Sequence, residues 1–515
     1  MFKKLLALAL FFVLQITQAQ NDFITTWQPG LITTTTVDAP YAATPDQIWF
    51  PGIGENYSIN WEEVGFPAHS GTMNNVTSTK QVLIDFGTPL NPGGSAAATY
   101  KIKVANGSGT FKQIRFGEAQ LVNLGEMILP IWQTFGSSDK ILEIEQWGDI
   151  SWFSMNGAFA TCRLLKLTAT DIPNLNNVTD ASFMFSNTPS FNGAPSMQNW
   201  DTSHIVNFGS MFSRLGETTL LTDIFNPPYF NSWDMSSAQD ISYMFAGRGL
   251  FNQDLNAWNT SNIKNMAWTF GNTRFNERIN NWDTSNVTNM EGMFHYNTYF
   301  DQPIGTWNTS KVTRMGHMLH GCTSFNKPIE SWNVSKVTSM GLMLSGALTF
   351  NQSLGNWNLA ALTNGGNMLF QTVLNCENYS KTLSGWADNP NTANNIALGS
   401  LSSLQYASNA VIKRNLLLSK GWLFSGDIQG SCFLSTSDNS LKKTGGIYPN
   451  PATENIHTDL IHDATDYKIL DASGRIVMSG KLNQDTITIS SLSKGNYILQ
   501  IISKDKIQNF KFIKK

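Results

Sequence analysis

Residues 275–299 read FNERINNWDTSNVTNMEGMFHYNTY, residues 300–324 read FDQPIGTWNTSKVTRMGHMLHGCTS, and residues 325–349 read FNKPIESWNVSKVTSMGLMLSGALT. The three blocks share the frame F-[ND]-x-x-[IL]-x-x-W-[DN]-[TV]-S-x-V-T-x-M-x-x-M-[FL]. Outward from them, Trp200, Trp233, Trp258, Trp282, Trp307, Trp332 and Trp357 are separated by 33, 25, 24, 25, 25 and 25 residues. Worn copies such as WDMSSAQDISYMF and WNLAALTNGGNMLF extend the series, and the long first interval reads as an insertion. A period of 25 lies within the range of stacked-coil repeats that contribute one short strand and one short helix or turn each. The spacing therefore predicts a mixed α/β solenoid, leucine-rich-repeat-like, in which each 25-residue repeat is a short strand plus a short helix.

The residues of one block fit that expectation. Thr288 followed by Glu291 resembles a capping box, after which Met290, Met293 and Phe294 would share one helical face. Trp282 to Val287 would supply the strand. A coil this short cannot bury both its faces alone, so like residues must stack on like. The expected layers are Trp258, Trp282, Trp307, Trp332 and Trp357; Val287, Val312 and Val337; and Met290, Met293, Met315, Met318, Met340 and Met343. Recurrent polar positions, Asn252, Asn276, Asn326 and Asn351 with Asp301 as substitute, and Ser261, Ser285, Ser310 and Ser335, read as ladders satisfying backbone groups or as a glycan-binding array. Lys311, Arg314 and Lys336 form a small basic stripe, either a face for an acidic partner or a solvated surface.

The 515 residues are too many for one core. Net charge is -3 and only 14% of residues are charged, which disfavours nucleic-acid binding and helical bundles. Lys3 and Lys4 precede an apolar run from Leu5 to Leu14 and a small-residue site, the pattern of a signal peptide over 1–19. No later stretch is apolar enough to span a membrane. Residues 20–117 alternate as a β-rich module, 118–175 read as an N-terminal cap, 176–370 as the repeats, and 371–430 as a C-terminal cap with a helix from Ser408 to Ser419. The polar segment 431–445 reads as a linker. Short strands over 446–515 suggest an Ig-like β-sandwich, basic at its end through Lys504, Lys506, Lys511, Lys514 and Lys515. Cys162, Cys322, Cys376 and Cys432 permit one or two bridges in an exported chain. Cys162 and Cys322 occupy matching repeat positions and read as small packing residues.

Chemistry-bearing constellations are sparse. His317 and His320 make an H-x-x-H with His295 one block away, but without a glutamate between them, so no metal is assigned. Glu143 and Glu145 alternate on a strand without a positioned partner, and no nucleophile elbow, phosphate loop or dinucleotide motif occurs. The expectation is no catalytic residue, no cofactor and no enzyme. Sixteen Trp residues invite a carbohydrate-binding reading, in which only off-period Trp152, Trp268 and Trp386 would be free to face a ligand.

The span from Phe23 to Asp427, through FITTW, IEQWGDISW, the W-[DN]-[TV]-S-x-V-T-x-M units and GWLFSGD, resembles BspA-like surface proteins with leucine-rich-type repeats. The C-terminal segment is similar to type A sorting domains of the type 9 secretion system, through YPNPA with Pro449, Asn450 and Pro451, LDASGR with Gly474 and Arg475, and LSKGNYILQI with Gly495 and Tyr497. The resemblance implies a Gram-negative bacterium, the secretion machinery as one partner, and an extracellular protein or glycan as another. It also implies secreted or cell-surface placement, usually with removal of the tail, and a role in adhesion.

Overall fold

The computed structural model describes residues 21–31, 42–123, 128–215, 223–432, 447–458, 464–482, 486–503 and 507–515. The expected signal peptide, residues 433–445 of the expected linker, and Lys504 and Lys506 lie outside the described residues. The chain divides into two compact units, 1–434 and 435–515.

The first unit opens with β1 (Phe23–Trp27), β2 (Gln47–Phe50), β3 (Gly52–Glu63), β4 (Phe66–Ser78), β5 (Val82–Asp85), β6 (Tyr100–Ala105), β7 (Thr110–Ile114), β8 (Gly117–Asn123), β9 (Ile128–Thr134), β10 (Ile141–Gln146) and β11 (Lys166–Leu167). Seven of these form one sheet in the order β11-β10-β1-β6-β3-β4, with β7 also on β3. Residues beyond 117 thus complete a sheet begun at Phe23. Period-two alternation sorts the two faces: Tyr100, Ile102 and Val104 are buried, while Lys101 and Lys103 face outward and pair with Glu145 and Glu62 at 2.6 and 3.1 Å. The buried face continues without a break into the repeats: Phe23 packs on Trp147 and Trp152 with ring centres 6.0 and 5.1 Å apart.

The repeats depart from the expected mixed α/β solenoid, and the backbone shows why. The amides of Met290, Gly292, Phe294 and Tyr296 donate to the carbonyls of Arg314, Gly316, Met318 and His320 in the following block, at 2.7–3.0 Å. The amides between them turn back inside the block, Met293 to Met290, His295 to Gly292 and Asn297 to Phe294. An α-helix needs every amide for its own i−4 carbonyl; here alternate amides are committed to a neighbour. Gly292 and Tyr296 also take left-handed φ of 59° and 51°, as Trp268, His317 and Leu342 do at the positions equivalent to Gly292, and a left-handed residue ends a right-handed helix. Thr288 caps nothing: its hydroxyl donates to the Lys264 carbonyl at 3.2 Å. The expected strand from Trp282 to Val287 is also absent. Among the described residues the β-pairing between these blocks is limited to single-residue parallel bridges, running Asn265, Asn289, Arg314, Ser339, Asn364. The fold is therefore β-rich with stacked turns, and among the described residues only α1 (Cys376–Asp388) and α2 (Val411–Ser419) are α-helical.

Helix α1 starts where Asn375 accepts a hydrogen bond from the Asn378 amide, an N-cap in the usual sense. Helix α2 ends before Gly421, whose φ is 81°. A Cys376–Cys432 disulfide joins the start of α1 to the end of this unit, while Cys162 and Cys322 are free and buried. The second unit holds two antiparallel sheets, one built from Ile447–Tyr448, Asn455–Thr458 and Thr486–Thr488, the other in the order Ile476–Lys481, Ala464–Leu470, Gly495–Ser503, Ile507–Lys514. Ile456 and Ile487 from one and Ile469, Leu499 and Phe512 from the other belong to one apolar cluster.

Candidate functional site

The expected layers Trp258, Trp282, Trp307, Trp332, Trp357, Val287, Val312, Val337, Met290, Met293, Met315, Met318, Met340 and Met343 are all buried. Five of the repeat indoles are also tied to the preceding block. Trp258, Trp282, Trp307, Trp332 and Trp357 donate to the carbonyls of Phe230, Leu255, Ile279, Ile304 and Ile329 at 2.7–3.2 Å. Buried N–H groups thereby gain partners, which their burial demands. The off-period tryptophans overturn the sequence reading: Trp152, Trp268 and Trp386 are 0, 6 and 0% exposed. Trp386 sits on α1, yet its indole donates to the Leu354 carbonyl at 2.9 Å, continuing the column. None of the three offers an open face for sugar stacking.

The asparagine positions form a continuous ladder. Side-chain oxygens of Asn192, Asn226, Asn252, Asn276, Asp301, Asn326 and Asn351 accept in turn from the amides of Asn226, Asn252, Asn276, Asp301, Asn326, Asn351 and Asn375 at 2.7–3.0 Å. Asn375 then caps α1. Ser261, Ser285, Ser310 and Ser335 act inside their own blocks, their amides closing turns on the side chains of Asn259, Asp283, Asn308 and Asn333.

Another recurrent position, one threonine per block, forms an exposed wall. The hydroxyls of Thr288, Thr313, Thr338 and Thr363 donate to the carbonyls of Lys264, Thr288, Thr313 and Thr338, one block back each time, at 2.9–3.2 Å. The stripe residues flank it. Lys311 donates to Asn286 Oδ1 at 2.6 Å, Arg314 pairs with Glu291 while remaining largely exposed, and Lys336 is exposed. Successive blocks present these groups in one register, so the wall can meet a large partner at several equivalent points.

Two further constellations bring chemistry-bearing side chains together. His295, His317 and His320 converge: one ring nitrogen from each falls within 4.8 Å of the other two. Burial, with the neighbouring imidazoles, holds His295 down at about 3 and His320 at about 4, so both are neutral at pH 7. Glu143 and Glu145 accept hydrogen bonds from the hydroxyls of Thr168 and Thr26, and Glu145 pairs with Lys101. Those contacts tie both carboxylates into the sheet.

In the second unit Asn450 bridges to the last strand, accepting from the Ile513 amide at 3.1 Å and donating to the Lys511 carbonyl at 2.9 Å. Asp471 closes the turn through Gly474 by accepting from Ser473 and Arg475. Tyr497 stacks on Phe512 with ring centres 5.6 Å apart. Asn450, Asp471, Tyr497 and Lys511 line one groove of about 500 Å³, so motifs far apart in sequence converge. Pro449, Pro451, Gly474 and Gly495 shape the turns and strand around it; Gly474 has φ 82° and Gly495 pairs with Lys514.

Residues 446–515 match a family model described as a secretion system C-terminal sorting domain. The match supports export through type 9 secretion, and with it secretion or attachment at the cell surface. Residues 153–274 and 265–386 are each similar to a family described as a Mycoplasma protein of unknown function, DUF285. No curated protein matches the chain. Among the described residues no helix is long and apolar enough to cross a membrane.

Sequence reasoning missed Arg248. Its side chain is fully buried and contacts Phe185, Thr188, Phe212 and Asp223. The signal available was an arginine at the repeat position that holds Thr188, Thr273, Asn297 and Cys322 elsewhere.

Proposed function

We propose that this chain is a non-catalytic surface-binding protein of the BspA-like kind. Its signal peptide would be cleaved after Ala19, its C-terminal segment would engage the type 9 machinery, and its repeats would attach the protein to an extracellular protein or glycan. The observation that carries the reading is the threonine wall in register with Lys311, Arg314 and Lys336. A periodic exposed surface on a packed, hydrogen-bonded column adds contact area block by block without further folding cost, and its cations favour an acidic partner.

The test has two arms. Cells making the chain truncated after residue 445 should lose surface protein that the full chain delivers; equal display would remove the export part. Cells displaying the full chain should bind an immobilised acidic polysaccharide in a salt-sensitive way. The triple change Lys311→Glu, Arg314→Glu and Lys336→Glu should weaken that attachment while leaving display intact. Attachment unaffected by both salt and charge reversal would sink the binding face.

A further inference from the structure

We propose that His295, His317 and His320 form a transition-metal site on the flank of the repeats, holding one divalent ion such as Zn2+ through three imidazole nitrogens with a fourth position open to solvent. The stacking register creates it. His295 and His320 occupy equivalent positions in adjacent blocks, and His317 lies three residues before His320 with a left-handed φ of 58°. His317 Nδ1 and His320 Nδ1 are 3.5 Å apart, close to the separation of about 3.3 Å between ligands of a tetrahedral ion with bonds near 2.05 Å. The third nitrogen lies within 4.8 Å of the other two, so closing to that separation takes at most about 1.5 Å, within reach of a side-chain rotation.

The surroundings suit an ion. His295 is 8% exposed and its Nδ1 has no hydrogen-bond partner, a buried polar atom of the sort natural proteins rarely leave unsatisfied. Trp268 closes the inner side. Its indole lies over Gly292, where an added Cβ would come within 2.4 Å of the ring, and its centre is 4.6 Å from His295 and 5.9 Å from His317. His317 and His320 are half-buried, leaving an outer path for an ion and for water at the fourth position. Three imidazoles without a carboxylate favour Zn2+ or its late first-row neighbours over Mg2+ or Ca2+. The fold itself does not require these imidazoles, because the following block carries Leu342 and Ser345 at the places of His317 and His320.

That last point supplies the test. The full-length protein, purified without a histidine tag and stripped with chelator, is titrated with Zn2+ against a competing chelator, and separately with Co2+ to record visible absorption. One ion per chain and a tetrahedral cobalt spectrum are expected. His317→Leu and His320→Ser import the next block's own residues, so the circular dichroism should be unchanged. Each should weaken Zn2+ binding by more than the ~10–100-fold that loss of even an outer-shell partner costs, and abolish the cobalt bands. If His317→Leu fails to fold, His320→Ser decides. Absence of stoichiometric binding, or equal affinity in the variants, overturns the site.

Discussion

Replacing Arg248 by methionine probes how the repeats absorb the long interval between Trp200 and Trp233. At the equivalent position other blocks use a short side chain to satisfy a nearby carbonyl: Thr188 to Phe185, Thr273 to Phe270, and Cys322 to Phe294. Arg248 performs the same service over a wider gap. Its guanidinium donates to the carbonyls of Phe185, Thr188 and Phe212, to the Thr188 hydroxyl, and to Asp223 Oδ1 at 2.8 Å. It also lies 4.6 Å over the Phe225 ring. Arg248→Met keeps most of the buried stem but strands the Asp223 carboxylate, itself buried to within 8% of full exposure loss. Breaking a buried ion pair from one side costs about 3–5 kcal/mol, and each orphaned carbonyl about 1–3 kcal/mol before relaxation. These terms overlap, so a loss of at least ~3 kcal/mol is expected. Because stacked repeats open locally, the assay is native-state hydrogen exchange. Amides from 185 to 188 and from 223 to 230 should lose protection while those beyond 320 keep theirs. Asp223→Asn added to Arg248→Met should restore part of the loss. A cost below ~1 kcal/mol, typical of a surface change, with unchanged exchange around Phe212, would refute this account.

Three further outcomes follow from other contacts. Asn276→Ala should cost about 1–3 kcal/mol, because it leaves the Asp301 amide unpaired, whereas Asn276→Asp should be tolerated as Asp301 is in the same ladder; urea denaturation of both variants compares them. Trp307→Ala should cost about 3–5 kcal/mol through the cavity it opens, and Trp307→Phe less, since mainly the bond to the Ile279 carbonyl goes; matched melts read the difference. In the N-terminal sheet, burial alone would raise the Glu63 carboxyl, but hydrogen bonds from the Leu90 amide, His69 and the Asn91 amide outweigh it and hold the group below its ordinary value. The resulting stability is fully present above the unfolded value of about 4.3 and is lost as pH falls through the lower folded value. Glu63→Gln should therefore be destabilised at pH 7 and should respond less than the parent to acid, as followed by unfolding curves at stepped pH.

The period, the buried columns and the polar ladder could be read from residues 275–349 because stacking forces identity at equal spacing: a Trp that packs on the Trp one block back must recur. Local structure could not be read the same way. Met290, Met293 and Phe294 have helical spacing, and Thr288 with Glu291 looks like a cap, so the string satisfies every local rule for a helix. What defeats the helix is the next block, whose carbonyls take alternate amides, and a competition between i−4 and inter-block acceptors leaves no mark in one copy. The left-handed position was obscured as well, since Trp268, Gly292, His317 and Leu342 share it and only one of them is glycine. The tryptophan error has a similar origin. Trp386 falls outside the 25-residue count because α1 intervenes, yet the helix returns its indole to the column.

In the histidine cluster the residues were visible in the sequence but their convergence was not. His317 and His320 lack the glutamate of H-E-x-x-H, the motif whose spacing sets two rings on one helix face. In stacked turns a different rule applies: residues one period apart are neighbours, and so are residues three apart within the turn run. Under that rule His295 and His320, 25 positions apart, are as adjacent as i and i+4 on a helix, and their ring centres are 5.0 Å apart. His317 at Gly292's position then gains room from the missing side chain, into which Trp268 leans. A search for ligand clusters in such chains should therefore scan sums of the repeat period and the turn spacing, and the same period places Lys311 beside Asn286, to which it is hydrogen-bonded at 2.6 Å.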